Sequence, residues 1–370
     1  MNTNLTQAIK DLDNADVLRL AADARPAGDY LFNTLLPEMP KFDYQAKTAG
    51  MTVRSTMAGL SGMDSPYPET GLIELSTFSE NTAKVTNRVR LTEQALREMQ
   101  QILMRLQLNG QPTVEYIQRT ALNFGDKLIL QAHMDAFEWL RGQALVNGAI
   151  DWTFDKKRLL VNYGLPAASQ LTARTGVDAY GGNASKFWDD VRLMRRYFRR
   201  YAQGVVMIAH PDTIDTIRYN PANRAVAVSE GEGGVTFRRL GTQQDTAFSP
   251  DTLDTVTVIP YGLEGEILDP VNVGRTIVIP FMPKGKILGV ARGTRQRFDV
   301  GDGGTAPNDI QLGYTHLAPT IENGGNPGRW LEIYTPEQEP WAIEGRGVTN
   351  GLPVIEATDR ICVATTAMPA

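Results

Sequence analysis

The sequence has very few of the side chains on which metal sites, disulfides and nucleophilic catalysis depend. Its 370 residues include one cysteine, Cys362, and three histidines, His133, His210 and His316. A single cysteine excludes an intrachain disulfide framework and fits a reducing compartment. The histidines lie far apart, and none has a metal-ligand spacing such as H-E-x-x-H. We therefore expect structural roles for the histidines and a buried, apolar role for Cys362.

Long apolar runs and an excess of positive charge are also missing. No run approaches the ~20 apolar residues that span a bilayer. Residues 1–20 have neither the basic start nor the apolar stretch of a signal peptide. Lys and Arg number 37 against 42 Asp and Glu, a net charge of -5. We expect a soluble globular chain that no overall basic field draws to nucleic acid or to a membrane.

The common catalytic motifs are absent as well. There is no G-x-S-x-G elbow and no phosphate-binding P-loop. The glycine-rich run 231–234 lacks the flanking strand and helix of a phosphate loop and is typical of a hairpin or a mobile loop. Asp299, Asp302 and Asp309 lack the close alternating spacing and the closing Glu of a calcium loop. We therefore predict no enzyme activity, no cofactor and no metal site.

A helix predicted at about 185–201 has the densest charge cluster of the chain. Its interleaved arginines and aromatics are compatible with a nucleic-acid surface. Alternatively, the aromatics form a buried stripe with Trp188 and Val191, while the arginines are exposed or contact a neighbouring subunit. The missing net basic charge favours this second interpretation, in which Asp189 and Asp190 are solvated ion-pair partners. The arginines are Arg192, Arg195, Arg196, Arg199 and Arg200.

Helical patterns dominate the first half of the chain. One short helix is predicted from Leu5 to about Leu20, and another from Leu91 to the stop signal at 109–110. The longest runs from about Thr113 to Asn147 and would extend roughly 50 Å, with Gly125 as a candidate bend. Its apolar residues recur at steps of three and four, which predicts one buried stripe. The predicted stripe consists of Val114, Ile117, Ala121, Phe124, Leu128, Met134, Phe137, Leu140 and Ala144.

Short strands and turns dominate the second half. Most of the 34 Gly and 21 Pro residues follow residue 160, which indicates many turns. Helices followed by a mixed sheet indicate an α+β fold rather than a doubly wound α/β fold. A short helix is predicted from Pro211. The predicted strands are 150–154, 158–166, 205–209, 226–229, 235–240, 256–260, 276–280, 287–291, 310–317, 330–334, 341–345 and 361–365.

Residues 41–90 are the most informative stretch of the sequence. They have strand-like runs at both ends and a Gly/Ser/Pro centre, and their apolar residues are too sparse to close a core. Residues such as Thr52, Ile73 and Val85 are nevertheless spaced as in strands. We predict an ordered two-stranded excursion whose packing partner is another molecule, which indicates assembly rather than catalysis.

This order of parts resembles the major capsid proteins of tailed bacteriophages with the HK97-type fold, and most of all the lambda-like major capsid protein E family. The segments 149–166, 204–218 and 326–365 carry the resemblance, which extends over nearly the whole chain. It implies a virion shell subunit that assembles in the bacterial cytoplasm. Hexamers and pentamers would form an icosahedral head that encloses double-stranded DNA without specific binding.

The resemblance also implies a domain organisation. The parts are an N-terminal arm (1–40), an extended β-hairpin E-loop (41–90), a P domain (91–183) with a spine helix (113–147), an A domain (184–293), P-domain return strands (294–345) and a C-terminal segment returning to the A domain (346–370). Implied partners are further copies of the chain, a separate scaffolding protein and a portal, with a decoration protein left open. Expected assembly contacts are Arg54, Met57, Tyr67, Glu69, Glu74, Lys84, Arg88, Arg195 and Arg199.

The sequence is compatible with three alternatives. An encapsulin-like compartment protein would share the fold. An α+β enzyme could use residues 41–90 as a lid, although no nucleophile, metal cluster or phosphate loop supports it. A DNA-binding module could use the arginines of residues 192–200, against the acidic balance of the chain.

Overall fold

The computed structural model describes most of the chain in thirteen stretches. They are residues 14–24, 28–54, 72–91, 119–120, 122–154, 157–200, 205–223, 238–239, 245–248, 255–268, 275–292, 310–334 and 343–368, together with isolated helical positions between 94 and 105.

Five α-helices have both of their ends within these stretches. They are α1 (Asn14–Asp23), α2 (Leu31–Leu35), α3 (Gln131–Asn147), α4 (Phe187–Tyr197) and α5 (Pro211–Tyr219).

Seventeen strands accompany the helices in the described residues. They are β1 (Glu38–Pro40), β2 (Gln45–Arg54), β3 (Leu72–Asn81), β4 (Ala83–Leu91), β5 (Ala149–Phe154), β6 (Lys157–Asn162), β7 (Val205–Ala209), β8 (Arg238–Arg239), β9 (Asp245–Phe248), β10 (Thr255–Pro260), β11 (Glu264–Leu268), β12 (Thr276–Pro280), β13 (Lys286–Ala291), β14 (Gly313–Ala318), β15 (Arg329–Tyr334), β16 (Ile343–Ile355) and β17 (Ile361–Thr365).

Most predicted elements are present with small shifts at their ends. The helix predicted to start at Pro211 and the strand predicted at 205–209 have the expected bounds. The first predicted helix continues to Asp23, and its first nine residues lie outside the described part. The strand predicted at 226–229 also lies outside it. The main difference is β16, which extends ten residues past the end predicted at 345.

The long helix ends where the sequence predicts but changes its winding on the way. Residues 126–130 form a π-helical turn directly after Gly125. This turn holds one extra residue, so the side chains beyond it are rotated by about 100° relative to a regular helix. As a result Leu128 is 48% exposed, and its predicted place in the buried stripe is wrong. Gly148 ends the helix with a left-handed φ of 67°.

The apolar face of α3 packs on a five-stranded central sheet. The strand order is β1–β14–β16–β15, with β4 also paired to β16. Three glycines of β16 allow the helix to approach the sheet closely. A Cβ atom on Gly345 would lie 2.5 Å from the Ile129 side chain, and one on Gly347 only 2.3 Å from it. One on Gly351 would lie 2.8 Å from the Phe137 ring.

A second sheet of six strands has the order β17–β13–β7–β10–β9–β8. All five residues of its inner strand β7 are buried. Helix α4 covers this sheet with Trp188, Val191 and Met194, and the turn after it adds Phe198. These side chains pack in one cluster with buried residues of β7 and β13. The C-terminal strand β17 pairs with β13, so the end of the chain closes this sheet.

Strands β2 and β3 form a separate antiparallel ladder, which we call the hairpin arm. Its ten residue pairs run from Gln45 opposite Asn81 to Arg54 opposite Leu72. Within the described residues, neither strand pairs with a third strand. The stretch 41–90, predicted as one two-stranded excursion, therefore has two parts. Strands β2 and β3 form the hairpin arm, while β4 pairs with β16 of the central sheet along nine residue pairs. In the described part of the chain, no helix combines the length and the apolar character needed to cross a bilayer.

Candidate assembly interfaces

The root of the hairpin arm is held firmly by the central sheet. Ala46 is fully buried. The Tyr314 hydroxyl donates a hydrogen bond to the carbonyl of Lys47 at 3.1 Å. Nε2 of His316 lies 2.7 Å from the carbonyl oxygen of Asp43, and the Thr82 amide donates to the Tyr44 carbonyl at 3.3 Å. A two-stranded hairpin alone is marginally stable in water. This arm therefore combines a fixed root with a two-stranded ladder, a structure that a further packing surface stabilises.

Two large aromatic side chains lie exposed beside this root. Phe42 is 76% exposed and Tyr44 is 53% exposed. Both lie in the short connection between β1 and β2. Single exposed apolar residues are common. Here they lie next to β1, the edge strand of the central sheet, after which the chain enters the hairpin arm.

One face of the central sheet packs on α3, and the other face is rich in charged and aromatic side chains. Cross-strand register defines this second face, because directly opposite residues point to the same side of a sheet. Arg88 lies opposite Arg346, and Arg346 lies opposite Glu332. We call this surface the open sheet face. It consists of Lys84, Thr86, Arg88, Arg90, Trp330, Glu332, Tyr334, Glu344 and Arg346.

A buried carboxylate at the centre of the open sheet face holds two arginines in place. Glu344 is 2% exposed. It accepts hydrogen bonds from Arg88 Nε at 3.0 Å and from the Tyr334 hydroxyl at 2.8 Å, and Arg90 lies 3.7 Å away. The Tyr334 hydrogen bond, followed by those from Arg88, lowers the pKa of this carboxyl below its ordinary value. Glu344 is therefore ionised and orients its cations.

Arg346 is positioned in a different way. Its guanidinium lies 5.4 Å from the ring centre of Trp330 and 5.2 Å from that of Tyr334, which are cation–π distances. Its Nε atom also donates to Glu332 at 2.5 Å. The side chain is 52% exposed. The open sheet face thus presents a cation stacked on aromatic rings and accessible from outside.

A buried ion cluster joins the N-terminal lead to the long helix. Arg141 is fully buried and donates to Thr315, to Glu138 at 3.1 Å and to Glu38 at 3.0 Å. Arg329 also donates to Glu38. Glu138 accepts further bonds from the Phe32 amide and the Tyr261 hydroxyl. Burial raises the pKa of Glu138, while Arg141 opposes that shift.

The arginine-rich helix confirms part of the sequence interpretation. Trp188, Val191 and Phe198 are buried, and Arg199 is exposed on the turn after α4. One expectation is wrong: Asp190 is not a solvated ion-pair partner, because it is 1% exposed. It accepts a hydrogen bond from Arg174 at 2.5 Å and one from the Tyr180 hydroxyl at 2.9 Å.

Only part of the predicted contact set can be placed. Met57, Tyr67 and Glu69 lie outside the described residues. Arg54 and Glu74 belong to the two strands of the hairpin arm, β2 and β3. Lys84 and Arg88 come together on the open sheet face. Arg195 lies on α4, and Arg199 follows that helix, so these two are on the part of the chain that covers the second sheet.

Sequence reasoning missed Arg90, Trp330 and Arg346 on the open sheet face. The alternation in Asn87–Leu91 marks Arg88 and Arg90 as residues of one strand face. That signal alone could have added Arg90. Trp330 and Arg346 join them only through the pairing of strands distant in sequence.

The histidines and the cysteine have the structural roles that the sequence predicts. Nδ1 of His133 lies 2.8 Å from the Thr349 hydroxyl, and its Nε2 lies 3.0 Å from Asn87 Oδ1. His210 caps α5 by accepting a hydrogen bond from the Asp212 amide. Cys362 is buried, and burial raises the pKa of its thiol to about 12. Among the described residues, no group of three His, Cys, Asp or Glu could hold a metal ion.

Comparison with known proteins identifies the fold through structure alone. No protein-family model and no curated protein matches the sequence. A protein assigned as a prophage capsid protein of Escherichia coli CFT073 matches with a TM-score of 0.53 and 11% identity, over 99% of this chain and 100% of that one. A phage-related protein of Bordetella bronchiseptica RB50 matches with a TM-score of 0.51 and 11% identity, over 96% of this chain and 98% of that one. The chain therefore has the HK97-like α+β fold that phage capsid proteins use.

Proposed function

We propose that the chain is the major capsid protein of a tailed bacteriophage, a shell subunit that assembles with copies of itself. The observation that carries this proposal is the end-to-end match to a prophage capsid protein, which covers the arm as well as both sheets. The hairpin arm gives independent support. Its root is fixed, but within the described residues its two strands have no further strand partner.

In this function the hairpin arm contacts the neighbouring subunit. A shell needs several moderate contacts for each subunit, and arms exchanged between neighbours strengthen the assembly through multivalency. The acidic balance of the chain also suits a container for DNA, because binding to phosphates grows with the number of cations that neutralise them.

The finer predictions belong to this proposal. They are membership of the lambda-like major capsid protein E family, hexamers and pentamers in an icosahedral head, enclosed double-stranded DNA, and assembly in the host cytoplasm with a separate scaffolding protein and a portal. In the same scheme the hairpin arm within residues 41–90 forms the E-loop, and 113–147 form the spine helix. An encapsulin-like compartment protein is the alternative within the same fold.

Electron microscopy of the purified full-length chain tests the proposal. Closed shells, or rings of five and six subunits, are the expected result, both alone and after addition of a crowding agent. A protein that remains a compact monomer under all assembly conditions would contradict it. Shells that enclose protein cargo in the producing cell and no DNA would favour the compartment alternative.

A further inference from the structure

His316 holds the root of the hairpin arm through one ring nitrogen, and its other ring nitrogen is not used. The residue lies in β14 and is 1% exposed. A carbonyl oxygen only accepts hydrogen bonds, so the 2.7 Å contact with the Asp43 carbonyl places the ring proton on Nε2. Nδ1 is then an unprotonated acceptor. It is buried, and within the described residues it has no hydrogen-bond partner.

The charged groups that face this ring come from the arm side. The connection between β1 and β2 brings Lys41 and Asp43, and β2 adds Lys47, which lies 3.8 Å from the Asp43 carboxylate. Lys41 lies 4.2 Å from the ring centre of Tyr314, the neighbour of His316 on β14. On either side of β14, strands β1 and β16 place apolar side chains opposite the histidine. Two cations and one carboxylate therefore surround the ring in the described part of the chain.

Protonation of His316 is unfavourable in this place. Burial lowers the pKa of its ring below the ordinary value, and the charge of Lys41 lowers it further. The hydrogen bond to the Asp43 carbonyl and the charge of Asp43 act in the opposite direction and do not cancel the shift. A second ring proton would lie on Nδ1, where a buried N–H would have no acceptor among the described residues. A protonated ring is therefore stabilised by moving out into water.

That movement displaces the root of the arm. The backbone at Asp43 lies against Nε2, so on that side the ring reaches water only if this backbone lifts. The second anchor of the root comes from the same face of β14, where the Tyr314 hydroxyl donates to the Lys47 carbonyl. Between the two anchors Ala46 is fully buried. The stretch 43–47 is thus held by two side chains, and one of them titrates.

From these observations we infer that His316 is an acid-sensitive latch on the root of the hairpin arm. Its neutral ring holds the backbone at Asp43 on the central sheet, and its protonated ring releases that backbone, so that the arm changes direction relative to the sheet. The latch acts within one subunit. The inference therefore goes beyond the proposed function and does not depend on it.

The direction of the pH dependence follows from the two states of the ring. In the released root His316 has its ordinary pKa of 6.5, and in the latched root its pKa is lower. The released state therefore binds one more proton between these two values. The latch is complete above pH 6.5 and is lost as the pH falls toward the lowered value. Over that range the ratio of released to latched root rises by up to about tenfold for each pH unit.

A thiol at position 46 reports the release. Ala46 is fully buried, so the thiol of an Ala46→Cys chain reacts only when the root lifts. The purified full-length chain is treated with a dipyridyl disulfide reagent, which stays reactive in acid, and each rate is divided by the rate in denaturant at the same pH. This ratio should rise by about tenfold from about pH 7 to about pH 5, because release takes up one proton.

His316→Gln, made in the Ala46→Cys chain, is the decisive variant. Its side-chain amide still donates to the Asp43 carbonyl but takes up no proton in this range, so its labelling ratio should stay constant with pH. His316→Leu removes the donor and should give fast labelling at every pH. His133→Gln is the matched control, because it removes another buried histidine and should keep the full rise in acid.

Cys362 is an internal control for unfolding of the whole subunit. It is buried in the second sheet, and mass spectrometry of peptides separates its labelling from that at position 46. Labelling at position 46 while Cys362 stays protected supports the latch. Equal labelling of both thiols in acid would mean that the whole subunit unfolds, which would overturn the inference. An equal rise in the His316→Gln chain would overturn it as well.

Hydrogen exchange gives a second readout that needs no introduced cysteine. At each acidic pH the amides of residues 41–47 should exchange faster in the unaltered chain than in the His316→Gln chain, while those of β17 should exchange alike. Equal exchange of residues 41–47 in the two chains would contradict the latch. Neither readout depends on assembly, so closed shells without this acid response would leave the proposed function standing and remove the latch alone.

Discussion

The guanidinium of Arg141 in α3 donates a hydrogen bond to the carboxylate of Glu38 in β1 at 3.0 Å, although 103 positions separate the two residues. Arg141 is fully buried, and the side chain of Glu38 is 11% exposed. This contact ties the N-terminal lead to the long helix. Since β1 also pairs with β14, the same contact holds both elements against the central sheet.

Arg141→Met should lower the free energy of unfolding by about 3–5 kcal/mol, because Glu138 then remains buried without its cation. Denaturant unfolding of the dissociated subunit measures this change. Arg158→Met, which removes an exposed ion pair with Asp151, is the control and should change stability by about 0.5 kcal/mol or less. Equal losses in the two variants would show that the buried cluster has no special role in stability.

Gly347→Ala should destabilise the subunit by about 1–3 kcal/mol. The added Cβ would lie 2.3 Å from Ile129 and 3.0 Å from the His133 ring, which forces α3 away from β16. Thermal unfolding checks this prediction. Gly28→Ala is the matched control, because a Cβ there meets no atom within 4 Å. A neutral result at Gly347 would mean that the helix does not pack this closely on the sheet.

Acid should destabilise the subunit partly through His133. Burial, followed by the charge of Arg329, lowers the pKa of His133 from 6.5 to about 4. The unfolded chain then binds a proton at higher pH than the folded chain does, so the neutral histidine contributes stability above pH 6.5. That contribution should fall by about 3 kcal/mol as the pH drops from 6.5 to about 4.

Unfolding measured across this pH range with His133→Gln as reference isolates the effect from carboxylate titration. The difference in stability between the two proteins should shrink steadily as the pH falls. A constant difference from pH 7 to 4 would contradict the buried neutral histidine.

Cys362 should react with thiol reagents only after unfolding. Burial raises the pKa of its thiol to about 12, and the thiolate is the reactive form. We expect modification at pH 8 to be about a hundredfold slower, or more, in the folded subunit than in denaturant. Mass spectrometry of timed samples measures both rates. Rapid labelling of the folded protein would show that β17 opens readily.

The sequence predicts helix and strand positions best where pattern and packing agree, as in α5 and β7. The predicted extent of β16 is wrong, because glycine and proline are typical of turns and this strand contains four of them. They are Gly345, Gly347, Gly351 and Pro353. In the structure these glycines allow the long helix to pack closely on β16, because they have no side chain. The structure accommodates Pro353 beyond the end of the pairing with β4, which stops at Gly351. Such reasons lie in contacts between distant segments, which a local pattern does not contain.

The same limit applies to the candidate interface. Leu128 lies outside the predicted buried stripe because the helix contains a π-helical turn. Asp190 is buried because it forms an ion pair with Arg174, which precedes α4 in the chain. The sequence predicts Lys84 and Arg88 as contact residues within the E-loop expected at 41–90. The open sheet face around them depends on the register of β4, β16 and β15, which only the folded chain provides.

The role of residues 55–71 in assembly can be tested by sedimentation velocity. The full chain is compared with a variant in which a short Gly-Ser turn replaces these residues. The full chain should sediment as large closed assemblies. The shortened chain should sediment as a folded monomer with unchanged circular dichroism, since the described strands of the central sheet and the second sheet all come from other parts of the chain. A shortened chain that assembles like the full chain, or a full chain that stays monomeric at every concentration, would contradict it.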